Sequence, residues 1–102
     1  MTQTRAPISL VAECFWPDVT EQDLAELDER IRGHVAALEP GRIRYLGSWL
    51  IRTDEVVLCR FEGTVAGVRR VATEAGVPFE RILETAESPW ALQPNPTRKD
   101  PR

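Results

Sequence analysis

The chain has 102 residues, 42% hydrophobic and 28% charged, with 13 basic against 16 acidic side chains and a formal net charge of −3. That length allows one small domain, which on folding buries roughly 65% of the surface its unfolded chain exposes, enough for a core without disulfides or metal. The mixed charges give no field that would draw in nucleic acid or an anionic membrane, the longest apolar run is about four or five residues, and Met1 to Arg5 lacks the apolar stretch of a signal peptide, so a soluble cytoplasmic protein is expected.

Residues 1–7 are expected to form a flexible N-terminus, and residues 8–87 a single domain. Ile8 to Phe15 is rich in β-formers and stops at Trp16-Pro17, which predicts a first strand. Thr20 followed three residues later by Asp23 is a capping box, and Leu24, Leu27, Ile31, Val35 and Leu38 then recur at steps of three and four, predicting a helix closed by Pro40-Gly41. Arg42 to Arg52 predicts a second strand, with Ile43, Tyr45, Gly47, Trp49 and Ile51 on one face and Leu46, Ser48 and Leu50 on the other. Thr53-Asp54 is a turn, and Glu55 to Glu62 returns as a third strand, making an antiparallel hairpin.

Thr64 is placed to cap a second helix whose inner stripe is Val65, Val68, Val71, Ala72 and Ala75, with Gly76 ending it in the left-handed conformation. Arg81 to Glu87 predicts a fourth short strand. Residues 88–102 hold four prolines and the basic pair Arg98-Lys99 and are expected to form a disordered tail. The order β-α-β-β-α-β is the ferredoxin-like α+β arrangement: a four-stranded antiparallel sheet with both helices on one face, because each crossover is right-handed. The opposite face, with aromatic residues available to it, then calls for a second copy, a ligand, or both, and a homodimer of the α+β barrel type is expected.

Sorting by strand alternation assigns the purely aliphatic sets to the helices, Val56 with Leu58 and Leu46 with Leu50. The mixed sets, Tyr45 with Trp49 and Glu55, Val57, Cys59 and Phe61, go to the open surface. Glu13 and Glu84 join them, giving a mostly apolar lining with few polar groups that suits either a small-ligand pocket or a dimer interface. Glu13 interrupts an apolar strand, and a carboxylate facing an apolar cavity would serve proton transfer; a solvated strand residue is the alternative. His34, the only imidazole, sits at the flank of the first helix's stripe, where it could pack or act as a base. Cys14 and Cys59 allow one bridge at most and are read as free thiols of the kind that usually pack in strands. Arg42, Arg44 and Arg52 read as a solvated edge. Cys-x-x-Cys, HExxH, Walker, GxGxxG and GxSxG patterns are all missing, which removes support for the corresponding zinc, phosphate, dinucleotide and serine-hydrolase mechanisms.

Three segments carry a family resemblance: Arg44-Tyr45-Leu46-Gly47-Ser48; Asp54-Glu55-Val56-Val57 with Cys59 and Phe61-Glu62; and Ala75-Gly76-Val77-Pro78-Phe79-Glu80-Arg81-Ile82. Together with Glu13 before Trp16-Pro17, they resemble small ferredoxin-like actinobacterial proteins catalogued as a domain of unknown function, one branch of which is described as nickel-binding. The resemblance implies a compact βαββαβ dimer. It does not supply a metal site: nickel favours imidazole nitrogen, and a single His34 rules out an intrachain site with two imidazoles.

The leading expectation is a small soluble homodimer that binds a small molecule or metal ion at the sheet face, lined by Glu13, Tyr45, Trp49, Cys59, Phe61 and Glu84. The alternative is a cofactor-independent cyclase or isomerase in which Glu13 or His34 transfers a proton while Tyr45 and Trp49 hold an apolar substrate. A third possibility is an interaction module acting through the proline-rich tail.

Overall fold

A computed structural model describes residues 8–38 and 41–86; the expected flexible N-terminus, Pro40 and the proline-rich tail lie outside the described residues. Six elements follow in the order β1 (Ile8–Phe15), α1 (Glu21–Ala36), β2 (Arg44–Ile51), β3 (Val56–Gly63), α2 (Val65–Glu74) and β4 (Arg81–Thr85). The four strands form one sheet in the order β2-β3-β1-β4, and every neighbouring pair is antiparallel. This is the ferredoxin-like α+β fold expected from the element order.

The helices form where the caps dictate. At the start of α1, the Thr20 hydroxyl accepts from the Asp23 amide at 3.0 Å while the Asp23 carboxylate accepts from the Thr20 amide at 2.9 Å, so two amides that the helix leaves orphaned are satisfied reciprocally. The Thr64 hydroxyl accepts from the Gly67 amide at 3.0 Å and starts α2 in the same manner. That helix stops at Gly76, whose φ of 77° is open to glycine without steric cost. The Arg30 side chain reaches from α1 to donate to the Ala75 carbonyl at 2.9 Å, so one helix caps the C-terminus of the other.

Both helices cover one face of the sheet. Leu10, Ala12 and Cys14 of β1 and Val57, Cys59 and Phe61 of β3 are buried there against Leu27 and Ile31 of α1 and Val68, Val71 and Ala72 of α2. The inner stripe expected for α1 thus meets the core, including Leu38, which packs against it from the turn after the helix, and so does that of α2 from Val68 to Ala75; Val65 is the exception, 42% exposed in the first turn of α2, where the stripe runs off the edge of the core. The assignment of the third strand to its faces is corrected: Val57, Cys59 and Phe61 point to the helices, and Val56 and Leu58 point away with Arg60 and Glu62. One alternate set of β3 carries two charged side chains and the other none, and desolvating an arginine and a glutamate under two helices would cost far more than placing Val56 and Leu58 outside.

The second strand departs from simple alternation. Tyr45 pairs with Phe61 and Ser48 with Cys59, while Gly47 pairs with Arg60, so Leu46 is an extra residue and the strand bulges between Tyr45 and Gly47. Gly47 sits there at φ 101°, a conformation costly for any residue with a Cβ. The bulge inverts the remaining parity, so that Tyr45 faces the helices while Trp49 and Ile51 face away.

Thr20→Ala removes one half of the reciprocal cap while leaving the buried side of α1 intact. A loss of about 1 kcal/mol in urea unfolding with an unchanged m value is expected; no loss would show that the cap does not hold the end of α1.

Candidate functional site

The uncovered face of the sheet reads as four rows across the strands, given by the registers of all three pairings. Ile51, Val56 and Phe15 form the first row, and Trp49, Leu58, Glu13 and Arg81 the second. Gly47, Arg60, Val11 and Leu83 form the third, beside the bulged Leu46; Arg44, Glu62, Ser9 and Thr85 form the fourth. Phe15 is 52% exposed and Trp49 56%, high values for large apolar side chains on a regular strand. Charges at the rim are paired within the face: Glu13 with Arg81 at 2.5 Å and Arg44 with Glu62 at 2.8 Å.

A cleft of about 230 Å³ opens in this face, lined by Ser9, Val11, Leu46, Trp49, Arg60 and Thr85 and bordered by Leu10, Phe61 and Ala86. That is slightly below the roughly 300–1,000 Å³ of common ligand pockets, as suits a pocket lacking one wall. The Arg60 guanidinium lies over the Trp49 ring, 4.4 Å from its centroid. The Thr85 hydroxyl donates to the Ser9 carbonyl at 3.3 Å.

The residues expected to line one pocket are divided by the sheet. Trp49 lines the cleft. Phe61 borders it only from within the core, wholly buried, with its ring 5.1 Å from that of Tyr45. Tyr45 and Cys59 lie on the helix side, Tyr45 because of the bulge and Cys59 because it shares parity with Phe61. Glu13 is on the open face but outside the cleft, held by the Arg81 guanidinium directly opposite, so the expected apolar surround for its carboxylate is replaced by an ion pair. Glu84 pairs with Leu10 and so lies on the other face from Glu13; the two acids do not meet. His34 sits on α1, across the sheet from the cleft, its Nδ1 3.0 Å from the Arg30 carbonyl one turn back. Residue-type sorting overlooked Arg60, although its parity with Glu62 already marked that face of β3 as the outward one.

A second polar cluster lies between α1 and β2. Asp28 accepts from the Tyr45 hydroxyl at 2.5 Å and from the Ser48 hydroxyl at 3.3 Å. Burial first, then the bond to the Asp28 carboxylate, push the Tyr45 phenol well above its ordinary value, so the tyrosine stays neutral and donates. This cluster ties helix to sheet, and Asp28 escaped the sequence reading because its partners lie 17 and 20 residues away. Cys14 and Cys59 are diagonal neighbours across β1 and β3, both buried and both free thiols. A hydrogen bond between them lowers the Cys14 thiol and raises that of Cys59, which burial raises further. Among the described residues, no three His, Cys, Asp or Glu side chains gather where they could hold a metal ion, and no helix is long and apolar enough to cross a membrane.

No family model matches the chain, and no curated protein matches it. Among solved structures it is similar to SCO4226 of Streptomyces coelicolor A3(2), with 19% identity and a TM-score of 0.61 over 78% of this chain and 98% of that one. The likeness is one of fold. At that identity it carries neither a ligand nor membership of a nickel-binding family.

Two outcomes follow from the division of the aromatic residues. In the single chain, at concentrations too low for association, Phe61→Ala should cost about 3–5 kcal/mol, as for a large side chain removed from a packed core, while Trp49→Ala should leave stability within about 1 kcal/mol because its ring is more than half exposed there; equal losses in denaturant unfolding of the single chain would overturn the face assignment. Tyr45 has a folded-state value raised above its ordinary 10.0, so it stabilises the fold at lower pH, and that contribution is lost as pH rises past that ordinary value. The melting temperature should therefore fall above about pH 10, and the phenolate absorption of the only tyrosine should appear together with unfolding. A phenolate band at ordinary pH in the folded protein would refute the buried Tyr45–Asp28 bond.

Proposed function

We propose that the protein binds a small organic molecule in the open-face cleft and that a second copy of the chain covers that face. The observation that carries this is the cleft itself, an apolar recess with an exposed tryptophan at its wall on a sheet face that no helix shields. Small-molecule sites are concave and mostly apolar with a few placed polar groups, and Val11, Leu46 and Trp49 with Arg60, Ser9 and Thr85 make that composition.

A second copy is favoured over an unlike partner by the charges on the face. Glu13–Arg81 and Arg44–Glu62 are each neutralised within one chain, so two identical faces can approach with Arg60, stacked on Trp49 in the cleft, as the one charge on the described rows left to a ligand, while burying Phe15, Trp49 and Ile51. Binding is favoured over turnover because the groups in the cleft are two hydroxyls and a guanidinium, while Glu13 is engaged by Arg81 and His34 lies beyond the sheet. An organic ligand is favoured over a metal ion for the same reason of composition. Cytoplasmic residence, which keeps Cys14 and Cys59 reduced, completes the proposal.

The test uses phenylnaphthylamine, a neutral apolar fluorophore. Its emission should rise saturably at a fixed ratio to the chain, and Leu46→Asp should abolish the rise without lowering far-ultraviolet helicity; no saturable rise, or one that Leu46→Asp leaves intact, rejects the cleft as the site. Sedimentation should give twice the chain mass for the wild type and the single mass for Trp49→Glu, and a wild-type monomer would reject the second copy.

A further inference from the structure

Arg60 is placed unlike the other arginines on and beside the strands. Arg44, Arg52 and Arg81 each pair with a carboxylate, Glu62, Glu21 and Glu13 respectively. Arg60 forms no such pair among the described residues, and its cross-strand neighbours are Val11 on one side and Gly47 on the other, neither of which carries a side-chain acceptor. Glu62, the nearest carboxylate along the same face of β3, is engaged by Arg44 at 2.8 Å.

The ring of Trp49 supports the flat of the Arg60 guanidinium at 4.4 Å. Stacking of that kind orients a guanidinium and leaves its in-plane N–H groups to donate elsewhere. Among the described residues they belong to the one charged side chain lining the cleft, with Ser9 and Thr85 as its hydroxyl-bearing residues and Val11 and Leu46 in the apolar remainder. A fork of donors with no acceptor among the described residues, at one end of an apolar recess, matches a ligand with an anionic head and an apolar body.

We infer that the molecule held in the cleft is an amphipathic carboxylic acid, its carboxylate on Arg60 and its apolar part against Val11, Leu46 and Trp49. This rests on the cleft being the ligand site and adds the chemical class of what it takes. The neutral fluorophore separates the two claims, because it needs the recess but not the charge.

The experiment displaces bound phenylnaphthylamine from the full chain with three competitors of one skeleton: phenylbutyrate, phenylbutanol and phenylbutylamine at neutral pH. Phenylbutyrate should compete about tenfold better than the alcohol, the worth of one charge-assisted hydrogen-bonded pair in a partly open site, and the amine should be weakest. The carboxylate's advantage should shrink as salt is raised. Arg60→Met should remove it while the fluorophore still binds, and Arg60→Lys should retain part of it. Equal competition by acid and alcohol, or an advantage that survives Arg60→Met, overturns the inference and leaves the cleft as an apolar site; failure of the fluorophore to bind removes both. Should Arg60→Met not fold, the wild-type ratio of acid to alcohol and its salt dependence decide the matter.

Discussion

The pairing of β1 with β3 at the centre of the sheet is the constraint from which the rest of the molecule follows. Each strand alternates, and on each only one alternate set is free of charge: Leu10, Ala12 and Cys14 on the first, Val57, Cys59 and Phe61 on the second. A register slip of one residue would carry Glu13, Arg60 and Glu62 under the helices. The cost of burying those charges holds the register, and the register in turn decides which face is left uncovered. At about 25 cal/mol per Å² of apolar surface, the helix-facing set is the main source of stability in a chain this short.

The bulge in β2 adds a second decision to that first one. Without the extra residue at Leu46, Tyr45 and Trp49 would share a face, either both against α1 or both in solvent. With it, Tyr45 turns inward to Asp28 and Trp49 turns outward beneath Arg60. One edge strand therefore ties a helix to the sheet with its first half and forms the wall of a cleft with its second. Bulges often re-aim side chains in this manner near functional sites. Gly47 is the residue that lets the backbone make the shift.

The open face is sparing with charge. Glu13 and Glu62 are matched within the chain, and the arginines that match them stand at its edges. Among the described residues, Arg60 alone stands in the interior of the face with an aromatic ring for support and no anion paired with it. A half-buried guanidinium oriented by an aromatic ring keeps its in-plane donors available, and these are what the proposed anionic ligand would engage. The buried thiols contribute packing instead: they lie beneath two helices, and the Cys14 thiol donates to the Ala12 carbonyl at 3.9 Å.

Much of the fold could be read from residue order. The caps at Thr20 and Thr64, the stripes of both helices and the stop at Gly76 are local signals, carried by residues three or four apart, and the structure places them where those signals put them, save Val65, which the second stripe leaves exposed. The element order then sufficed for the topology, since handedness leaves few alternatives. The composition of the candidate site was not legible in the same way. Parity along an isolated strand says which residues share a face but not which face is covered, and a bulge breaks parity with no local mark beyond one glycine. Asp28 with Tyr45, Glu13 with Arg81 and Arg60 with Trp49 are contacts between elements, set by register and packing. The sequence by itself determined the elements and their order, because short-range spacing encodes them; only the tertiary structure decided which side chains meet, because that depends on how strands pair and where one of them slips.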